Sequence, residues 1–328
     1  MIKPYILGIP GDDNALFIKV ESGQETYRLL FDCGDCLRFA ETTELRATEH
    51  LFFSHLHMDH VAGFDGFFRL NFNRRAPVYI WGPPETGRII HHRTQGFMWN
   101  YKGQRGTWLV GDIHQEEIQQ IRLTTRDGFE CVQGTTTWPF EGVVLETPDF
   151  TVRAIHLDHR TPSVGYLIRE KPRLNLDKDK LKASGLPPGP WLQDLKEGRL
   201  EEAAKRGPEG VSPERLRADL LTETPGESLA YLTDFGMVGE TEARLAEFLR
   251  GCDTLVCESH YRHEDLDLAT QRYHLTSVQV AMLAARAEVG ELVLIHVSDR
   301  YQAQGWGRLL VEAREIFPNT RFPVGWRS

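Results

Sequence analysis

Between Ser54 and His60 the chain reads Ser-His-Leu-His-Met-Asp-His, directly after the apolar run Leu51-Phe52-Phe53. Imidazole nitrogens and a carboxylate are ligands that suit zinc and related divalent ions. In an extended segment His55 and His57 project the same way, because side chains alternate with a period of two. Asp59 and His60 then fall where the chain turns into Val61–Leu70, which has enough apolar residues for a helix. One pair of ligands faces one metal position and the second pair faces another. A histidine-rich surface loop would not follow a buried strand so closely.

The remaining length must supply further ligands and the scaffold that positions them. At 328 residues and 41% hydrophobic, the chain can bury a large core. No apolar run approaches the roughly 20 residues of a membrane helix. The segment Met1-Ile2-Lys3-Pro4-Tyr5 lacks a signal peptide's apolar centre, so a cytoplasmic protein without membrane contact is expected. Five cysteines without framework spacing agree with a reducing compartment. Cys33-Gly34-Asp35-Cys36 reads as a buried turn after a strand, because no second cysteine pair has zinc-ribbon spacing. The net charge of -9 does not advertise nucleic-acid binding, although a local basic patch remains compatible with it.

Short strands are expected over Tyr5–Gly8, Ala15–Val20, Tyr27–Phe31, His50–Ser54 and Val78–Trp81, with a helix near Glu85–His92. The second half repeats the pattern. Phe150–Ile155 ends in His156-Leu157-Asp158-His159, and Leu229–Leu232 ends in Thr233-Asp234. Thr254–Cys257 ends in Glu258-Ser259-His260, and Glu291–Ile295 ends in His296. Four strands that each deliver a metal-competent or acid–base side chain at their C-terminal ends imply one site built from many loops. Helices on the outer faces of two sheets complete this architecture. Lys171–Gly226 breaks the pattern with a Gly-Pro-rich run, a slightly positive charge balance and amphipathic pieces at Trp191–Leu195 and Leu216–Leu221. From composition alone it is a charged, solvated surface insertion.

His-x-His-x-Asp-His resembles the signature of the metallo-β-lactamase fold hydrolases. Later segments narrow the resemblance to ribonuclease Z (tRNase Z), the endonucleases that trim the 3′ ends of precursor tRNAs. Leu157-Asp158-His159-Arg160-Thr161-Pro162-Ser163-Val164-Gly165-Tyr166 is similar to that family's third-histidine segment, and Leu181–Gly198 to the Gly-Pro motif of its protruding arm. His274-Leu275-Thr276-Ser277 resembles its helix start, and His296-Val297-Ser298-Asp299-Arg300-Tyr301 its final histidine segment. The chain departs from the family at Met58, at Ala62–Gly66, at Leu232-Thr233-Asp234-Phe235, in the first turn and across 91–146.

The resemblance implies a single four-layer αββα α/β domain over 1–328 with an inserted arm at 171–226. It implies that His55, His57 and His159 hold one metal, that Asp59, His60 and His296 hold a second, and that Asp234 bridges them. His156 competes with His159 for the third position, and Asp234 has an alternative as a helix N-cap. Two divalent ions, zinc first and manganese second, would activate water and offset phosphoryl charge. Asp59 would orient that water and take its proton. His274 would protonate the departing ribose oxygen with Glu258 orienting it, or would instead cap the helix Ser277–Ala287. Asp32 is either an acceptor for a ligand histidine's N–H or a turn former before Gly34. Lys171, Arg173, Lys178, Lys180, Lys182 and Lys196 on the arm, and Arg300, are the cations available to phosphates. Precursor tRNA is the implied partner and a homodimer the implied assembly. Two rival readings are a phosphodiesterase for small substrates such as cyclic nucleotides, and a metal-bound RNA-binding protein without turnover.

Overall fold

A computed structural model describes residues 1–22, 25–99 and 105–326, so residues 100–104 of the atypical 91–146 stretch lie outside the described residues. Two compact units are present, one formed by Met1–Arg169 with Glu227–Ser328 and the other by Glu170–Gly226.

The larger unit holds two sheets. The first contains β1 (Ile2–Leu7), β2 (Ala15–Glu21), β3 (Thr26–Phe31), β4 (His50–Phe52), β5 (Val78–Gly82), β6 (Thr107–Ile113), β7 (Glu117–Thr124) and β8 (Thr135–Pro139), in sequential order. Its middle strands β3 to β6 run parallel, and the flanking pairs are antiparallel. The second sheet continues along the chain with β9 (Val143–Glu146), β10 (Phe150–Asp158) and β11 (Pro162–Glu170). After β12 (Arg173–Leu176) and β13 (Leu221–Thr224) of the smaller unit, it resumes with β14 (Ser228–Leu232), β15 (Thr254–Glu258), β16 (Glu291–Ile295) and β17 (Thr320–Arg321). Strands β14 to β17 are parallel, so their C-terminal ends all open on one edge.

Parallel strands covered on both faces need apolar side chains in both phases of the pleat. Leu29 and Phe31 of β3 join the core between the sheets, whereas Leu30 faces the helices outside. In the same way Phe52 points inward while Leu51 and Phe53 point out. Between the sheets, Phe31 stacks on Phe52 at 4.7 Å, and Tyr166 and Tyr231 close on them from the second sheet. Burying each of these rings stabilises the sandwich by roughly 1.5–3 kcal/mol. The tyrosine hydroxyls find partners, Tyr166 donating to the Phe53 carbonyl at 2.7 Å and Tyr231 to Asp32 at 2.9 Å. Outside the second sheet, Leu283 and Ala284 of the helix Ser277–Arg286 pack with Leu255, Cys257 and Leu294. Helix, sheet, sheet and helix give the four-layer αββα arrangement.

One expected helix is divided. Val61–Leu70 becomes the single turn Met58–Val61 and the helix Phe64–Asn71, separated at Ala62-Gly63. A Cβ on Gly63 would lie 2.4 Å from the Cys33 carbonyl oxygen and 2.6 Å from that of Gly34. The break follows from this close approach of the two loops, which sequence periodicity does not register. The strand expected to end at Ile155 runs on to Asp158.

In the smaller unit, β12 and β13 pair antiparallel, and four short helices (Lys178–Ser184, Trp191–Lys196, Leu200–Arg206, Pro213–Leu220) enclose Trp191, Leu195, Leu216 and Leu220. Asp177 caps the first helix by accepting from the Asp179 and Lys180 amides, and Ser212 caps the last. Asp194 is buried with Arg199 at 2.7 Å and Arg206 at 3.4 Å, so its charge is paired. Among the described residues, no helix is long and apolar enough to cross a membrane.

Candidate metal centre

The site lies where strand ends meet. After β4 the chain bends at Ser54, and the turn Met58–Val61 swings Asp59 and His60 back, bringing the His60 ring to 4.2 Å from that of His55. His55 and His57 bring their rings to 4.4 Å, as their shared phase predicts, and His159 stands 5.2 Å from each. Asp234, following β14, reaches in so that its Oδ2 lies 3.8 Å from His55 Nε2, 3.6 Å from His159 Nε2 and 3.6 Å from His60 Nε2. Asp59 Oδ2 is 3.3 Å from His60 Nε2 and 3.4 Å from His296 Nε2, and His296 Nδ1 is 3.3 Å from Asp234 Oδ1. His55, His57, His159 and Asp234 form one set of donor atoms within 4.8 Å of one another, Asp59, His60, Asp234 and His296 form a second, and Glu258, His260, His274 and His296 form a third. Asp234 belongs to the first two.

Three residues at strand ends take a backbone conformation that side chains seldom accept: Asp32 (φ 54), Asp234 (φ 51) and His296 (φ 50). Left-handed geometry is uncommon outside glycine, though Asp, Asn and His tolerate it best. It turns each functional group away from the strand direction, Asp234 and His296 into the cleft and Asp32 into the buried layer behind it, and backbone hydrogen bonds hold Asp32 and His296 there. The Asp32 amide donates to the Phe52 carbonyl at 2.8 Å, and the His296 amide to Asn14 Oδ1 at 3.0 Å. Asp234 does not cap a helix, since the next one begins at Thr241.

A second layer orients the imidazoles. Asp32, wholly buried, accepts from His60 Nδ1 at 2.8 Å, from the Ser54 amide at 2.8 Å and from Ser54 Oγ at 2.7 Å. This is the acceptor role, not the simple turn-forming one. His159 Nδ1 donates to the Tyr273 carbonyl at 2.7 Å. Both arrangements leave Nε2 aimed at the carboxylates, the pattern of metal-ligating histidines. His156, the competitor of His159, spends its Nε2 on the Ile113 carbonyl at 2.9 Å and lies outside all three donor sets.

Electrostatics agree with a cation-binding cavity. Burial, reinforced by the neighbouring His60, pushes the His55 imidazole down to about 2, so it offers a neutral lone pair. Burial would lower His60 too, but the Asp32 and Asp234 carboxylates outweigh it and raise that group well above its ordinary value. Burial would raise Asp234, yet His296 and His60 hold it well below the usual carboxylate range. Nδ1 of His55 and of His60 have partners, but the buried Nε2 atoms of both have no hydrogen-bond partner. Two orphaned imidazole nitrogens beside ionised carboxylates, the His55 one on a neutral ring, fit divalent metal, which would take the place of the proton that the carboxylates favour on His60.

Glu258 is wholly buried and accepts from His274 Nδ1 at 2.8 Å, the Phe235 amide at 2.9 Å and the Leu275 amide at 3.3 Å. It therefore fixes His274 and the residue after Asp234 together. Burial acts to lower His274, but Glu258 prevails and raises it to about 9. The helix Ser277–Arg286 is capped by Thr276 and Gln279 in a capping box, so His274 is not its cap. A cleft of about 240 Å³ opens on the site, lined by His57, Asp59, His274, His296 and also Asp13 and His260. Sequence reasoning assigned no role to His260 or Asn14, although His260 follows a strand end like the other site residues. Arg300 is exposed, three residues beyond Val297. On the smaller unit Lys182 and Lys196 are exposed, and Arg173 pairs with Glu170.

No protein-family model matches the chain. It is 45% identical over 332 aligned residues to a ribonuclease Z of Deinococcus radiodurans, covering 99% of each chain. The chain belongs to the ribonuclease Z family. A ribonuclease Z of Anoxybacillus flavithermus is 31% identical, over 91% of this chain and 86% of that one. Among solved structures, the Bacillus subtilis metallo-β-lactamase fold protein YhfI superposes with a TM-score of 0.57 at 14% identity, covering 98% and 95%. The short form of human tRNase Z gives 0.52 at 18%, covering 92% and 94%. These similarities establish the metallo-β-lactamase fold, and family membership makes the protein a metal-dependent hydrolase, for which the His and Asp sets are suited.

Proposed function

We propose that this protein is an endoribonuclease that trims the 3′ end of precursor tRNA with two divalent metal ions. One observation carries the reading: six side chains, four from the loop after β4 and the others His159 and His296, meet around a single carboxylate, Asp234, which two donor sets share. In this reading His55, His57 and His159 hold one ion, Asp59, His60 and His296 hold the other, and Asp234 spans them. Zinc suits this mixed nitrogen and oxygen set best, with manganese second. When bound, the ions lower the pKa of water and offset charge on the phosphoryl group.

Asp59, with a side chain 41% exposed to the cleft, orients the attacking water and accepts its proton. Glu258 holds His274 by Nδ1 and favours the imidazolium, so His274 can deliver a proton to the departing ribose 3′-oxygen. The unit Glu170–Gly226 grips the RNA in this reading, with Lys171, Arg173, Lys182 and Lys196 on phosphates and Arg300 contributing from the larger unit.

The test is a gel of precursor tRNA cleavage by the native protein and by a variant with 171–226 replaced by a short linker. The native protein cuts at the 3′ end. The deletion loses RNA cutting but still hydrolyses a small phosphodiester. Turnover of cyclic mononucleotides with no cleavage of precursor tRNA would reject the RNA assignment.

A further inference from the structure

His260 has no part in the chemistry above, yet it stands beside two residues that do. It follows β15, whose neighbour β16 runs parallel with Glu258 opposite Ile295. The ladder continues past both strand ends, the Ser259 amide donating to the Ile295 carbonyl at 2.9 Å and the Ser298 amide to the His260 carbonyl at 3.2 Å. His260 and His296 are therefore carried side by side by backbone pairing. His260 Nδ1 lies 3.1 Å from the His296 carbonyl oxygen and 3.2 Å from His296 Nδ1. A carbonyl only accepts, so Nδ1 carries the proton and donates.

That bond falls at a strained place. His296 is left-handed, a conformation costing roughly 1–2 kcal/mol for a residue with a Cβ. Its N–H is held by Asn14 from the first sheet's loop, and its C=O by His260 from the second sheet. The opposite function is served by the ring face. His260 stacks on His274 with centroids 4.1 Å apart and planes 11° apart, the closest of the ring pairs at the site. His274 is thus set by Glu258 along its edge and by His260 across its face.

We propose that His260 is a positioning residue with two separable duties: its Nδ1–H holds His296 in the conformation that binds metal, and its ring face holds His274 in register for proton transfer. This rests on the reading of the site under Proposed function. Side chains that lock the rotamers of metal ligands typically change metal affinity 10–100-fold when removed.

Two substitutions divide the duties. His260→Asn keeps a donor near the Nδ1 position but removes the ring face, and His260→Phe keeps the face but removes the donor. The readouts are the zinc dissociation constant of chelator-stripped protein, by competition with a chromogenic chelator, and kcat and KM for precursor tRNA, whose departing ribose 3′-oxygen needs a proton, at saturating zinc. The expected pattern is crossed. H260F weakens zinc binding about 10-fold or more with kcat within about 3-fold, and H260N binds zinc within about 3-fold but loses about 10-fold in kcat at constant KM. Any other pattern overturns the proposal, in particular equal losses in both variants or none in either. Should H260F not fold, as judged by thermal unfolding in chelator, H260L lacks both features and must lose zinc affinity, and an unchanged affinity overturns the proposal. If the native protein does not cut precursor tRNA, the proposed function fails, while the zinc affinities still decide the His296 half of the inference.

Discussion

Replacing Asp32 by asparagine isolates the contribution of the buried acceptor behind the site. Asparagine accepts the left-handed backbone at position 32 as readily as aspartate, so no new strain arises. The Asp32 carboxylate receives four hydrogen bonds, Oδ1 from the Ser54 amide and Oδ2 from Ser54 Oγ, His60 Nδ1 and Tyr231 Oη. An amide has one oxygen. Turned to serve the Oδ2 partners, it points its NH₂ at the Ser54 N–H, and the buried donor left unpaired costs about 1–3 kcal/mol. The bond to His60 also loses its charge assistance, which removes about 1 kcal/mol more. We therefore expect D32N to be about 2–4 kcal/mol less stable, read from urea unfolding of the chelator-stripped protein at unchanged slope. Because His60 loses its orienting partner, zinc affinity should fall about 10–100-fold in a chelator competition. Stability within about 0.5 kcal/mol of native together with zinc affinity within about 3-fold would refute the reasoning.

The two histidines at the end of β10 should behave oppositely. H159A should weaken zinc binding by more than about 100-fold, whereas H156A, which loses one bond to a carbonyl, should cost about 1 kcal/mol of stability and leave zinc binding within about 3-fold; zinc titration of both variants decides. His50 supplies a pH prediction away from the metal centre. Burial, with Arg74 adding to it, lowers its folded pKa to about 4, so between pH 6.5 and 4 the unfolded chain takes a proton that the fold refuses. Stability is then lost as pH falls through that window, by at most about 1.4 kcal/mol per pH unit from this group. H50N, which preserves an acceptor for Trp81 Nε1, should show a shallower acid loss than native in chelator-treated urea melts, and identical slopes would contradict the assignment.

Local pattern carried much of the fold and the first half of the site. Alternating apolar residues marked β3, β4 and β14 to β16 because a pleated strand buried on both faces admits little else. His55 and His57 were legible as partners because their phase follows from one extended segment, and Asp59 and His60 because the next turn begins there. Resemblance of longer segments added His159, Asp234, His274 and His296, each at a position where a strand or loop hands over a polar side chain. Local pattern could not choose between His156 and His159, since that depended on β10 extending to Asp158 and on the Ile113 carbonyl waiting at the end of β6 in the other sheet. Nor could it predict the helix break at Gly63, which the carbonyls of the Cys33-Gly34 turn enforce from a distant part of the chain. Asp32 became an acceptor, and His260 a neighbour of His296, only through parallel strand pairing and the contact of two sheets. Residue type and spacing set which groups can bind metal or move protons. Their distances, left-handed turns and protonation states were decided by contacts between segments up to 282 positions apart, such as Asn14 with His296, and no local periodicity encodes those.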